Sequence, residues 1–197
     1  MLSIRCALVG LCLAAVGLGA TAQPALPVFD ATFAVVVDNA VVYGQGAVNS
    51  PAPGQKNLLL DVYRPVGANG SGALSPVIII IHGGGFTGGT RTQSQLVTIA
   101  RAMAARGFVA VSIDYRLAPD QPVPSARVSN LLAPATVGTS GSTFQQRVAA
   151  VAAVDDGLTS VDWLRSNASQ LNIDTSRIGL LGGSAGAITA VHLAYLL

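Results

Sequence analysis

The chain has 197 residues, a formal net charge of +2 at pH 7 and a charged fraction of 10%, well below the ~25% usual for soluble domains. That length suits a single domain with a substantial core. So weak a charge, with no basic run, gives no reason to expect nucleic acid or an anionic membrane surface as a partner.

The first residues read as a targeting segment. Arg5 gives a short positive start, residues 6–18 form an apolar run, and Ala20-Thr21-Ala22 offers a small-x-small cleavage site before Gln23. The expectation is a secretory signal peptide over 1–22, and hence a secreted or periplasmic protein. The apolar run falls short of the ~20 residues that span a bilayer, and Leu11 before Cys12 does not suit a lipid anchor. Both cysteines, Cys6 and Cys12, lie inside this segment. The remaining chain, 23–197, would then hold no disulfide, thiolate metal site or cysteine nucleophile.

After a Pro/Ala stretch come apolar runs at 33–37 and 40–43, and Ser50-Pro51-Ala52-Pro53-Gly54-Gln55 reads as a loop. Residues 58–63 predict a strand closed by Pro65 and a Gly/Asn/Ser-rich turn over 67–72. Residues 77–81 are all apolar and β-branched, as in a strand buried on both faces of a parallel sheet. Leu96, Ile99, Ala100 and Met103 recur at helical spacing within 95–106, and Gly107 stops that helix. Residues 108–113 predict the next buried strand, 119–143 read as a long loop or cap insertion, and 144–167 read as a long helix, irregular at Gly157. Asn172-Ile173-Asp174 turns the chain into a strand over 178–181. Strands alternating with helices predict an α/β fold with a mainly parallel sheet and flanking helices.

Two glycine-rich motifs sit at predicted strand ends. Gly182-Gly183-Ser184-Ala185-Gly186 follows the strand at 178–181 and precedes an apolar helix. A lone Gly-x-Ser-x-Gly is weak, but strand, sharp turn and helix are the context of a nucleophile elbow, with Ser184 as nucleophile. The flanking glycines, Gly182 and Gly186, suit a turn that brings backbones close. His82-Gly83-Gly84-Gly85-Phe86 follows the strand at 77–81. Its glycines can present bare N–H groups to an oxyanion, so Gly83 and Gly84, with the N–H of Ala185, are the expected donors.

Taken with Leu60-Asp61-Val62-Tyr63-Arg64-Pro65, Asp114-Tyr115-Arg116-Leu117-Ala118-Pro119, Asp162-Trp163-Leu164-Arg165 and residues 174–186, these motifs resemble the hormone-sensitive-lipase-like and carboxylesterase branch of the α/β-hydrolases. The resemblance runs from about Leu58 onward. It implies an esterase acting on small-molecule acyl esters, with Ser184 as nucleophile and no cofactor. It also makes His82 a loop-holding residue, beside Gly85. Residues 127–143 form a longer stretch than the family pattern expects. In α/β-hydrolases the acid and the histidine follow the serine, and thirteen residues follow Ser184 here. The expectation is therefore an N-terminal portion of the fold, with the catalytic acid and histidine absent from these residues.

His192, eight residues past Ser184, is expected to be a satisfied core histidine. Asp155 and Asp156 are expected to be helix-to-loop hydrogen-bond partners, and Asp114 to order the Tyr115-Arg116 turn. Two isolated histidines and no cysteine after the leader make no metal cluster. Asn69-Gly70-Ser71 and Asn167-Ala168-Ser169 match glycosylation sequons. Two other readings exist. Gly83-x-Gly85-x-x-Gly88 with Asp114 imitates a dinucleotide fingerprint, but pyrophosphate binding needs a helix starting at Gly88, and the predicted helix begins several residues later. A chain complete at Leu197 would be a truncated non-catalytic relic of the fold, although the apolar 194–197 lacks a helix stop.

Overall fold

A computed structural model describes residues 31–68 and 72–197, so the expected leader over 1–22 and the sequon at Asn69 lie outside the described residues. The strands are β1 (Val35–Val48), β2 (Gly54–Pro65), β3 (Ser75–Ile81), β4 (Val109–Ile113) and β5 (Ile173–Gly182). The helices are α1 (Ser94–Ala104), α2 (Ser129–Thr136), α3 (Gly141–Ser166), α4 (Ala168–Leu171) and α5 (Ala185–Ala194). The strands form a mixed sheet in the order β1-β2-β4-β3-β5. β2 pairs antiparallel with both β1 and β4, whereas β4, β3 and β5 run parallel.

The apolar run of β3 follows from helices on both faces of the sheet. Successive strand side chains point to opposite faces. Ile78 and Ile80 pack with Leu96, Ala100 and Ala104 of α1. Val77, Ile79 and Ile81 pack with Ala149, Ala153 and Leu164 of α3 and Leu193 of α5. Each such buried side chain contributes about 1.5–3 kcal/mol, which makes β3 the spine of the fold.

Several local expectations are corrected. The apolar runs at 33–37 and 40–43 belong largely to β1, whose register shifts near Asp38 and Val42. Ala40 has φ 56° at the first shift, and its N–H donates to the Asp61 carboxylate at 2.8 Å. The loop after Ser50 ends sooner than expected, because β2 begins at Gly54. The expected long loop over 119–143 contains two short 3-10 turns and α2. α3 passes Gly157 without interruption, since this glycine serves packing. A Cβ there would sit 3.1 Å from Leu193 Cδ2 on α5. β5 begins at Ile173, where a turn was expected.

A buried ion cluster joins the loop after β4 to α3. Arg116, 2% exposed, donates from Nη2 to Asp155 at 3.1 Å and to Asp156 at 2.6 Å. Its Nη1 donates to the carbonyls of Ala47 and Val123 at 3.0 and 2.8 Å. Its Nε and backbone N–H both donate to Asp156. Every guanidinium N–H group is thus engaged. Asp155 also accepts from Ser125 and from Arg127 Nε. Burial alone would raise its carboxyl, but the hydrogen bonds of Arg127 and Ser125 outweigh burial and hold it below its ordinary value. Both aspartates therefore act as helix-to-loop partners, as expected. Arg116→Met should lower the unfolding free energy by about 3–5 kcal/mol, because it leaves two carboxylates buried beside an apolar stem. Urea denaturation checks this, and a loss under about 1 kcal/mol would show that the cluster contributes little.

His82, at the end of β3, is 1% exposed and stacks on Tyr115 with ring centroids 4.1 Å apart. Burial pushes its ring below the usual histidine value, against smaller upward pulls from the Gly83 carbonyl and Asp114. The folded state therefore binds a proton less readily than the unfolded chain. The stability His82 contributes is complete above the unfolded value of ~6.5 and is lost as pH falls through the folded value. The destabilisation caused by His82→Gln should accordingly shrink between pH 7.5 and pH 5. Parallel denaturation curves test this, and a constant difference would show that the ring is not held neutral.

Candidate active site

β3 and β5 are parallel neighbours, paired from Val77 with Ile178 to Ile81 with Gly182. They end at the same level, so the two glycine motifs emerge side by side. A Cβ on Gly83 would lie 2.8 Å from the Gly183 carbonyl oxygen and 3.4 Å from Ser184 Cβ. A Cβ on Gly186 would lie 2.1 Å from the Ile81 carbonyl oxygen, and one on Gly182 would lie 2.3 Å from Gly186. Any side chain at these glycines would push the strand ends and α5 apart.

Ser184 occupies φ 53° and ψ −119°, a conformation that costs a non-glycine residue about 1–3 kcal/mol. The turn is closed by Gly186 N–H to Gly183 O and Ala187 N–H to Ser184 O, both 2.9 Å. The serine is exposed, whereas Ala185 and Gly186 behind it are buried. Among the described residues no side chain hydrogen-bonds to Ser184 Oγ.

The loop from His82 to Phe86 has all its carbonyls engaged. The His82 carbonyl accepts from Tyr115 Oη at 2.9 Å, and the Gly83 carbonyl faces His82 Nδ1 at 2.8 Å. Because a carbonyl only accepts, Nδ1 carries the proton of the neutral ring. Gly84 O accepts from the N–H groups of Thr87 and Gly88, and from Thr87 Oγ1. Gly85 O accepts from Gln146 Nε2 at 2.7 Å, and Phe86 O from the Ala118 N–H at 2.8 Å. Among the described residues the N–H groups of Gly83, Gly84 and Ala185 donate to nothing. The carbonyls are tied down and the amides are left open, which suits an incoming anion.

The remaining sequence candidates fall elsewhere. His192 is exposed rather than buried, with Nδ1 2.9 Å from the Ile188 carbonyl one turn back on α5. The apolar face of α5 expected to bury it packs through Leu193 instead. Asp114 does not order the Tyr115-Arg116 turn. Its carboxylate accepts from the Arg91 N–H at 2.7 Å and Arg91 Nη1 at 2.5 Å, and Arg91 Nε reaches Asp61 at 2.9 Å. The Asn167 side chain of the second sequon donates to Trp163 O at the end of α3. Gln146 escaped the sequence reading, because a glutamine near the start of a helix carries no motif. Among the described residues no cluster of three or more His, Cys, Asp or Glu could hold a metal, and no helix is long and apolar enough to cross a membrane.

Beside the two motifs lies a cavity of about 410 Å³. Phe86 from the glycine loop and Ile188, one turn past Ser184, form its near side. Leu131, Pro134 and Ala135 of α2 face Ala150 and Val151 of α3 across it.

Known proteins resemble this chain over much of its length. Carboxylesterase NlhH of Mycobacterium tuberculosis (strain ATCC 25618 / H37Rv) is 32% identical over 121 residues, which are 61% of this chain and 29% of that protein. Probable carboxylesterase 1 of Arabidopsis thaliana is 31% identical over 164 residues, 80% of this chain and 43% of that one. The esterase of Pyrobaculum calidifontis superposes with a TM-score of 0.50 at 25% identity, covering 82% of this chain and 39% of its own. A thermophilic esterase of Thermogutta terrifontis, Est2, gives a TM-score of 0.51 at 24% identity over 77% and 41%, a likeness of fold. The chain thus spans less than half the length of these relatives. The BD-FAE family matches residues 60–129 and 142–197, and between these two segments lies the stretch that holds most of α2 and the turn into α3. The chain belongs to the BD-FAE family, a hormone-sensitive-lipase-like carboxylesterase family of the α/β-hydrolase fold.

Proposed function

We propose that the full-length protein hydrolyses small-molecule carboxylic esters through an acyl-enzyme on Ser184, without a cofactor. The observation that carries this is the exposed serine at positive φ beside the free amides of Gly83, Gly84 and Ala185. In the reaction Ser184 Oγ attacks the ester carbonyl carbon while a base takes its proton. The carbonyl oxygen becomes an anion that the three N–H groups hold, each contributing a few kcal/mol in the transition state (about 3–4 for one such donor). The intermediate collapses, the C–O bond to the alcohol breaks, and the alcohol leaves with the proton. Water then hydrolyses the acyl-serine by the same steps.

Neither described histidine suits the base. The ring of His82 is buried and donates from Nδ1 to Gly83 O, and His192 lies two turns along α5 with Nδ1 at the Ile188 carbonyl. We assign the base and its acid to the part of the protein outside these 197 residues, as the short share of each relative covered supports.

Ser184→Ala in the full-length protein should cut hydrolysis of p-nitrophenyl esters by about 10⁴-fold or more. A fluorophosphonate should label the wild type at Ser184 and leave the variant unlabelled. Retained hydrolysis in Ser184→Ala would refute the mechanism. The apolar cavity beside Phe86 and Ile188 is suited to the acyl chain, because its walls are chiefly aliphatic and include Ile188, one turn past Ser184 on α5. Ala150→Phe, which fills it from α3, should lower kcat/KM for long acyl chains about tenfold relative to acetate, since one or two methylenes in such a pocket are worth about 1–3 kcal/mol. An equal effect on all chain lengths would place the acyl group elsewhere.

A further inference from the structure

An oxyanion hole accelerates a reaction only if its donors are already aimed when charge develops. Three consecutive glycines are the least suitable backbone for that, because each has wide conformational freedom. Gly84 and Gly85 both sit at positive φ, 118° and 62°, and nothing in their own covalent structure keeps them there. What keeps them there is the set of partners on the carbonyls.

Most of those partners come with the scaffold. Tyr115 follows β4 directly, the His82 ring serves its neighbour, and Thr87, Gly88 and Ala118 use backbone or adjacent groups. The Gly85 carbonyl differs. Its one described partner is Gln146 Nε2, 2.7 Å away and 61 residues along the chain on α3. A Cβ on Gly85 would meet the same Nε2 at 3.6 Å, so the amide lies directly over the loop. α3 is in turn fixed by the Arg116 cluster through Asp155 and Asp156.

Resting on the esterase reading above, we propose that Gln146 is a positioning residue that locks the Gly83–Gly85 peptides in the anion-binding orientation by holding the Gly85 carbonyl. It touches no substrate atom and acts through the loop. The chemistry requires a donor, since the carbonyl is an acceptor. Glutamine supplies one, whereas an ionised glutamate would set a second acceptor against it and repel the loop.

Four full-length proteins test this: wild type, Gln146→Met, which keeps the length without the donor, Gln146→Glu, and Gln146→Lys, which keeps a donor. Rates are normalised to the active sites titrated by a fluorophosphonate. Gln146→Met should lower kcat about tenfold with KM unchanged within about twofold, the pattern of a group felt only in the transition state. Gln146→Glu should lose at least as much at pH 7.5, and Gln146→Lys should stay within about threefold of wild type. Affinity for a boronic acid, which forms a tetrahedral anion on the serine, should fall in step with kcat/KM. An unchanged kcat in the Met and Glu variants overturns the proposal, as does a fall in kcat that leaves boronate affinity untouched. Activity surviving in Ser184→Ala would sink the esterase reading itself. An inactive Ser184→Ala beside an indifferent Gln146 would sink only the positioning role.

Discussion

The arrangement depends on one constraint, that β3 and β5 lie next to each other in parallel and stop at the same level, Ile81 opposite Gly182. From that pairing the chain can place two loops from distant parts of the sequence within van der Waals contact. The contact is between backbones. Gly83 approaches the Gly183 carbonyl, Gly186 approaches the carbonyls of Ile81 and His82, and Gly182 lies against Gly186. Hydrogen at Cα is what allows the strand ends to close, so these glycines are steric requirements of the pairing. The strained Ser184 conformation is tolerable for the same reason. It joins β5, which is paired along β3 with its fully buried Ile79, Ile80 and Ile81, to a helix anchored through the buried Leu193.

The second level of organisation is electrostatic and lies largely outside the loops themselves. Amides left free to meet an anion would otherwise turn toward any nearby acceptor, since backbone N–H groups seek partners. The structure leaves them open by engaging the opposite end of each neighbouring peptide. Two arginine clusters stabilise the frame that does so. Arg91 spans Asp61 on β2 and Asp114 at the end of β4, and its own carbonyl accepts from Ser112. Arg116 spans β1, the loop after β4 and α3. Each pairs a cation with two carboxylates, and Arg116 satisfies its remaining donors on the carbonyls of Ala47 and Val123, the condition under which a buried charge is tolerable. The Arg116 cluster ties α3 to the sheet, and so bears on where Gln146 meets the loop.

How far this was readable beforehand follows from the range of the forces involved. The β3 run, the elbow and the oxyanion glycines are legible because burial on two faces and backbone contact each restrict residue type locally. The bulged β1 shows in the sequence as two runs because its register shift is set by the Asp61 carboxylate, far along the chain, taking the Ala40 N–H. Gly157 suggests an irregularity within the long helix, whereas its role is set by Leu193 on another helix. The apolar run around His192 predicts a core position, because the sequence does not show which side of α5 meets the sheet. Gln146 was invisible for a related reason. Its significance is a single contact with a carbonyl whose position is itself a tertiary product.

The same distinction separates shared chemistry from selectivity. Residues 60–129 and 142–197 match the family, and they carry β3, the glycine loop, the elbow and all but the first residue of α3. The stretch between them carries Leu131, Pro134 and Ala135, which form one wall of the cavity that Phe86 and Ile188 also line. Under the proposed reading, then, the groups that would stabilise a tetrahedral anion sit on scaffold common to the family, and an unshared segment shapes the space for the substrate. This is physically reasonable, because anion stabilisation tolerates little displacement of its donors, whereas an apolar wall can be rebuilt by any helix that presents aliphatic side chains. α2 is well suited to such a part. It has no fully buried residue, contains Pro134 and rests chiefly on α3, so its sequence can change without disturbing the sheet. Arg147 of α3 donates to the Ala135 carbonyl at 3.1 Å and sits directly after Gln146. Adjacent residues of one helix thus hold the wall of the cavity on one side and the anion-facing loop on the other.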